Sequence, residues 1–295
     1  MKKIPKKLKV AGLVANTSKP YCTQYIQEAA NLLVAKGISL LAEIRTAQFA
    51  SLKVETVDNV RNLAKKCDIL FVLGGDGTIL RVSRGTAGIK IPIVGINLGK
   101  LGFLTTAPSE ELESAITKIF EQKTFVETRP LILASGRPFG AAKKQLAVND
   151  FVIGRVGTSR MIDLEVMVNG VYLTRYRCDG LIVCSPTGST AYSLSAGGAI
   201  VSPEAHVFTI TPICPHTLSN RSVIVSLNSI IKIKYLSEKV NGFISSDGQI
   251  ENNLMDSDEI IVQKSRYSLY LVHLEGDTFF NTLRHKLNWS GSNIQ

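Results

Sequence analysis

Ile69-Leu70-Phe71-Val72-Leu73-Gly74-Gly75-Asp76-Gly77-Thr78 is the stretch that decides the fold. Five consecutive apolar residues read as a strand buried on both faces, as in a parallel sheet. The glycines that follow let the backbone turn sharply and approach a phosphate closely. A short helix, Ile79 to Arg84, is expected next, and its first turn offers unsatisfied N–H groups to an anion. Asp76 is thereby placed at the carboxyl end of a parallel strand, the edge where open α/β sheets gather ligands. A carboxylate repels phosphate, so its presence there needs a reason. It can accept a proton from an attacking hydroxyl, or help hold a divalent ion that screens phosphates. The plain alternative is an ordinary Asx turn. The segment contains neither G-x-G-x-x-G nor G-K-[ST].

Outward from this stretch, the first half alternates strand and helix patterns. Leu8 to Ala15 reads as a strand, Gln24 to Ala35 as a helix closed by Gly37, and Ile38 to Ile44 as a second strand. Val57 to Lys66 reads as a helix and Ile91 to Ile96 as another strand. Pro108-Ser109-Glu110-Glu111 opens a helix to Phe120 with acids in its first turn. Such alternation predicts a mainly parallel sheet. The second half reads as short antiparallel strands. Asn169-Gly170 joins Ile162–Val168 to Val171–Tyr176 as a two-residue hairpin, and Asp247-Gly248 marks another tight turn. A helix is expected near Phe279 to Leu287. The boundaries expected are 1–125 for an α/β domain, 126–274 for a β-rich domain, and 275–295 for a helix and tail packing on the first domain.

The chain has 295 residues, long enough for two joined domains. Its 45% hydrophobic content excludes wholesale disorder. The net charge is +10, and five of the positive charges are Lys2, Lys3, Lys6, Lys7 and Lys9. Charge concentrated in a solubilising tail does not point to nucleic acid, and a basic body serves a polyanionic small substrate equally well. Five scattered cysteines without a C-x-x-C argue against a disulfide framework or a cysteine zinc site, so a reducing cytoplasm is expected. His206, His216, His273 and His285 lack metal-ligand spacing, and the isolated His216, directly after Pro215, reads as structural. The apolar run after Lys9 ends at Asn16, short of a signal-peptide core, and no apolar run approaches the roughly 18 residues needed to span a bilayer.

A second glycine segment, Gly95-Ile96-Asn97-Leu98-Gly99-Lys100-Leu101-Gly102-Phe103-Leu104, also follows a strand. Two strand ends can form the walls of one crevice, with Phe103 covering a ring or serving in the core. Asn149-Asp150 suits a ribose diol or an adenine edge, or makes a bulge. Asp179-Gly180 precedes the strand Leu181 to Cys184, and Ser185 to Gly198 then carries hydroxyls at residues 185, 187, 189, 190, 192, 193 and 195. Buried hydroxyls need partners, which a nucleotide supplies. A Ser/Thr-rich loop is the alternative, and Thr190 to Ala196 has helical character with Ser189 or Thr190 as cap. Arg160 and Arg177 are the cations available to phosphate.

Taken together, these residues resemble the bacterial NAD kinase family over nearly the whole chain, from the first strand to Leu274. The anchors are Gly74 to Thr78, Asn97 to Leu104, Asn149-Asp150, Asp179 to Gly198, Ile210 to Ser219, and Asp247-Gly248-Gln249. The first anchor alone is shared with diacylglycerol-type lipid kinases. The resemblance implies a Rossmann-like open-sheet α/β domain, a β-sandwich-like domain, and a last helix returning to the first. It implies an enzyme that transfers the γ-phosphoryl of ATP, or of polyphosphate in some members, to the 2′-hydroxyl of the adenosine ribose of NAD.

By that likeness Asp76 is the proton acceptor. Gly77, Arg81, Phe103, Asn149, Asp150, Arg160, Arg177, Asp179, Thr187, Thr190, Ala191, Tyr192, Ser195 and Gln249 join it in contacting the dinucleotide, with Tyr192 stacking on a ring. Cys178 and Cys184 stand where smaller or hydroxylated residues are commoner. A divalent ion, Mg²⁺ by expectation, and a homodimer or homotetramer in the cytoplasm are further implications, with no membrane or nucleic-acid partner. A lipid kinase and a non-catalytic dinucleotide-binding regulator are the rival readings.

Overall fold

The strand Ile69–Gly74 is buried along its whole length, as a strand covered on both faces must be. In the computed structural model, which describes residues 3–5, 7–18, 20–99, 102–140, 144–157, 160–217, 219–238 and 240–289, it lies inside a parallel sheet. Lys2, Lys6, Lys100, Leu101 and Leu218, named above, lie outside the described residues. The strands β1 (Val10–Ala15), β2 (Ser39–Glu43), β3 (Glu55–Val57), β4 (Ile69–Gly74) and β5 (Ile93–Asn97) take the spatial order β3-β2-β1-β4-β5, all parallel. The order reverses between β1 and β4, so the carboxyl ends of these two strands flank a topological switch point.

Helices connect these strands: α1 (Cys22–Ala35), α2 (Ile44–Phe49), α3 (Val60–Lys66) and α4 (Asp76–Gly85), followed later by α5 (Leu112–Phe120). Helix α1 buries Cys22, Ile26, Ala29, Ala30 and Leu33, a stripe at helical spacing, against Leu13, Phe71 and Leu73 of the sheet core. Full burial of a side chain such as Phe71 stabilises by about 1.5–3 kcal/mol. Residues 1–128 and 269–295 form one compact unit and residues 129–268 the other. The last helix, Phe279–Leu287, belongs to the first unit, where Phe279 lies 6.2 Å from Phe103.

The second unit is antiparallel. A six-stranded sheet has the order Val223–Ser226, Val207–Ile213, Gly180–Cys184, Asp150–Arg155, Gly242–Ser246, Ile250–Leu254. A second layer pairs the hairpin Ile162–Val168/Val171–Cys178 with Ile231–Tyr235. The core between them takes Phe151, Ile153, Val183 and Phe208 from the first sheet, and Leu164, Val166, Ile233 and Tyr235 from the second. The Asn169-Gly170 turn has positive φ at both residues (52° and 80°), as a type I′ hairpin requires. Asp247-Gly248 does the same at 51° and 62°.

Several segments differ from their sequence pattern: the short helix expected over Ile79–Arg84 already starts at Asp76, and the helix expected from Pro108 opens as a 3-10 turn over Ser109–Glu111 before α5. The expected strand Ile38–Ile44 ends at Glu43, and Ile44 starts helix α2. The expected helix from Val57 begins at Val60, because the Asn59 side chain accepts Asn62 N–H and caps it. Residues 187–196 form a 3-10 turn over Thr187–Thr190 and a one-turn helix over Tyr192–Ser195, with no side-chain cap from Ser189 or Thr190. Ser189 Oγ is instead engaged with Pro186 and Val201.

Candidate active site

In the first unit, Gly75 is the N-cap of α4 and Asp76 its first residue. A carboxylate in a first helical turn is favoured by the helix dipole. Its oxygens do not turn back onto their own loop, as an Asx turn would have them do. Oδ2 accepts the Phe103 N–H at 2.9 Å, and Oδ1 accepts the Leu104 N–H at 3.1 Å. One side chain thus ties together the two glycine segments that follow β4 and β5. Leu98 N–H donates to Gly74 O at 3.3 Å, Asn97 Oδ1 accepts Gly99 N–H at 3.0 Å, and the Tyr21 hydroxyl donates to Leu98 O at 3.0 Å, which further fixes the second loop.

Gly102 is required by this approach: a Cβ there would lie 2.0 Å from Asp76 Oδ1. An ionised carboxylate offers about four lone-pair sites. Two backbone donors leave room to accept one more proton, and Asp76 is only half-buried. Gly77 is exposed beside it. Phe103 is half-buried, with Phe279 against it and the Lys286 ammonium 5.8 Å from its ring centre. Arg81 is held by Glu43, to which it donates two parallel hydrogen bonds at 2.7 and 3.0 Å. Glu43 is buried, so this pair anchors α4, and with it Asp76, to the end of β2.

In the second unit, Asn149 lies in the bend just before the strand Asp150–Arg155, beside the turn at Asp247. The Asp247 carboxylate accepts N–H groups from Val148 at 3.1 Å, Asn149 at 2.8 Å and Asp150 at 3.4 Å. Ser185 N–H donates to Asn149 O at 2.8 Å, and Ser185 Oγ donates to Val148 O at 2.6 Å. Gly188 packs so closely that a Cβ would meet Asn149 O at 2.1 Å. Asp150 is itself buried. Burial, and next the nearby Asp247 carboxylate, push its carboxyl up to about 7. Near neutral pH it therefore populates both a donor and an acceptor form. Cys184, paired with Asp150, has its thiol pushed up to about 11, chiefly by burial, and is inert as a nucleophile.

The hydroxyl run divides by exposure. Ser185, Ser189 and Ser193 are buried and find partners within the protein: Val148 O, Pro186 O and Thr211 Oγ1. Those three hydroxyls need no ligand to be satisfied. Thr187 Oγ1 accepts from buried Arg129 at 3.2 Å. Tyr192 and Ser195 are exposed, Thr190 and Ala191 are half-buried, and Gln249 is exposed on the turn that also carries Asp247.

Strand register separates the remaining candidates from this group. Cys184 faces Asp150, whereas Gly180 faces Gly154 and Ile213 at the other end of the same strand, about 13 Å away at strand rise. Asp179 sits at that far end, where Arg155 Nε donates to it at 2.9 Å. Arg177 is exposed, and Arg160 precedes the strand whose Ile162 faces Cys178. The His216 N–H donates to Arg177 O at 2.9 Å, a backbone role.

The family model for the ATP-NAD kinase N-terminal domain matches residues 11–124, and that for the ATP-NAD kinase C-terminal domain matches residues 148–274. The chain belongs to the NAD kinase family. The NAD kinase of Geotalea daltonii is 36% identical over 283 residues, covering 96% of this chain and 99% of its own. The NAD kinase of Nitrosomonas europaea is 35% identical over 285 residues, covering 96% of each. Among solved structures, yeast NADH kinase complexed with NADH is similar at a TM-score of 0.86 with 26% identity, over 98% of this chain and 90% of that one. An NAD kinase from Archaeoglobus fulgidus in complex with ATP is similar at 0.75 with 27% identity, over 96% and 100%. This NAD kinase family member is thus an enzyme of the phosphotransferase class. Sequence reasoning missed Glu43 and Arg129 as supports of Asp76 and Thr187, and it gave the Ser185 hydroxyl to a nucleotide where the fold gives it to Val148 O, because only the fold reveals which polar groups are buried and paired.

Proposed function

We propose that the chain transfers the terminal phosphoryl group of ATP to the 2′-hydroxyl of the adenosine ribose of NAD, giving NADP, with Asp76 as the proton acceptor. The observation that carries this reading is the clamped carboxylate at the switch point. Two backbone donors fix Asp76 while leaving lone pairs for a substrate hydroxyl. As the ribose O–H gives its proton to Asp76, its oxygen bonds to the γ-phosphorus and the β–γ bridging P–O bond breaks, releasing ADP. The N–H groups at the start of α4 stabilise charge on the transferring phosphoryl.

Asn149 and Asp150 hold the dinucleotide, held in turn by Asp247. Gly77, Phe103, Arg160, Arg177, Asp179, Thr187, Thr190, Ala191, Ser195 and Gln249 supply the remaining contacts, with Tyr192 against a ring. Arg81 contributes through the N–H groups that its pairing with Glu43 leaves over. The described residues contain no group of three His, Cys, Asp or Glu side chains able to hold a metal. Mg²⁺ is proposed to arrive as part of the Mg·ATP substrate, since this ion keeps its waters and binds largely through phosphates.

We further propose a homo-oligomeric cytoplasmic enzyme, a reading supported by the five cysteines, all free thiols as a reducing compartment would keep them. The test is to incubate purified protein with NAD and Mg²⁺, add ATP or polyphosphate in turn, and measure NADP. A parallel arm offers diacylglycerol. NADP formed with ATP supports the reading. Lipid phosphorylation without NADP, or NAD binding without turnover, would overturn it.

A further inference from the structure

At the amino ends of β4 and β5, the edge opposite Asp76, lies a cavity of about 440 Å³. Six residues of β4 separate the two edges, about 20 Å, so nothing bound in the cavity touches the reacting atoms. Its volume falls within the range of small-molecule sites, roughly 300–1,000 Å³. Tyr270, Val126, Pro5 and Pro92 give it apolar and ring surface, and Lys3 and Lys90 bring two ammonium groups.

The charges on its wall do not cancel. Among the described residues, neither Lys3 nor Lys90 makes an ion pair or hydrogen bond. The one carboxylate on the wall, Asp68, already accepts the N–H groups of Lys9 and Val10 at 2.8 and 3.0 Å. The Cys67 thiol is pushed up to about 12, chiefly by burial, and adds no negative charge at neutral pH. Lys3 is also not a loose tail residue. Its neighbour Ile4 is 2% exposed and packs into the sheet core, and Gln122 Nε2 donates to Pro5 O at 3.4 Å. Lys3, which reads as part of a solubilising tail in the sequence, is therefore held at the mouth of the cavity by the packing of Ile4 and Pro5.

We infer that this cavity is a second ligand site, separate from the phosphoryl-transfer site, for a small organic anion: a carboxylate, sulfonate or phosphate carried on a flat ring. The head group lies between Lys3 and Lys90 and the ring lies against Tyr270 and the prolines. The probe is 1-anilinonaphthalene-8-sulfonate, titrated by fluorescence into the full chain with NAD and a non-hydrolysable ATP analogue at saturation. The expected result is one saturable site whose affinity falls at least tenfold in Lys3→Glu/Lys90→Glu. Lys36→Glu/Lys53→Glu, the same charge change at exposed positions elsewhere, leaves it within twofold. Both double variants keep wild-type NADP formation, which also reports that they are folded. Equal affinity in the cavity variant and wild type, an equal fall in both double variants, or non-saturable binding would overturn the inference.

Discussion

Asp76 and Asp150 are both aspartates beside glycine turns, yet the fold treats them in opposite ways. Asp76 stands half-buried at a helix start, with two backbone donors on its oxygens and capacity left over. Asp150 is buried next to a second carboxylate, Asp247, and its carboxyl is pushed up to about 7. The first environment favours an acceptor aimed at an incoming hydroxyl. The second favours a group that can both donate and accept, which suits recognition of a polar substrate more than proton removal. The difference lies in what surrounds each side chain.

The contrast can be broken first at Gly102. Gly102→Ala places a methyl group against Asp76 Oδ1 and displaces the carboxylate. A displacement near 1 Å costs about 100-fold in turnover, so kcat is expected to fall by that order while NAD affinity, read by calorimetry, stays within about threefold. An unchanged kcat would show that the clamp on Asp76 is dispensable.

The Asp150 side is tested by pH. Its folded pKa is raised from 3.8 to about 7. The folded state therefore holds an extra proton between these values, and the stability linked to it is fully present below about pH 4 and lost as pH rises through 7. Asp150→Asn removes the cost of ionising a buried group. The variant is expected to be more stable than wild type by about 1–3 kcal/mol at pH 8.5, with the gap closing towards pH 4. Urea midpoints at both pH values measure this. A gap that widens as pH falls would reverse the assignment.

Two smaller effects sharpen the comparison. Gly188→Ala pushes on Asn149 O and should raise the KM for NAD about tenfold with kcat little changed, since overpacking of this kind costs about 1–3 kcal/mol. Arg81→Ala leaves Glu43 buried without its fork and should cost about 1–2 kcal/mol in urea denaturation, a partly exposed pair being worth less than a fully buried one.

Much of this was legible in the sequence because periodicity and glycine placement are local. The apolar run before Gly74, the alternation of Ile162–Val168 and the Asn169-Gly170 turn each fix their own geometry. What was not legible is long-range. The Asp76 oxygens find their donors 27 and 28 residues away, and the Asp247 carboxylate finds its donors nearly 100 residues away. The strand Glu259–Leu274 runs unbroken through Lys264-Ser265-Arg266, a polar stretch that reads as a gap when only the local pattern is considered. The strand Thr124–Gly136 likewise runs through Arg129-Pro130, where the missing N–H argues locally for a break.

The most direct measurement is a paired one on Asp76→Asn: kcat at saturating NAD and Mg·ATP, and the dissociation constant for NAD. Loss of a positioned base costs about 10²- to 10⁴-fold. A fall of that size in kcat is expected, with NAD affinity within about threefold of wild type. Near-normal turnover, or a loss confined to NAD binding, would contradict it.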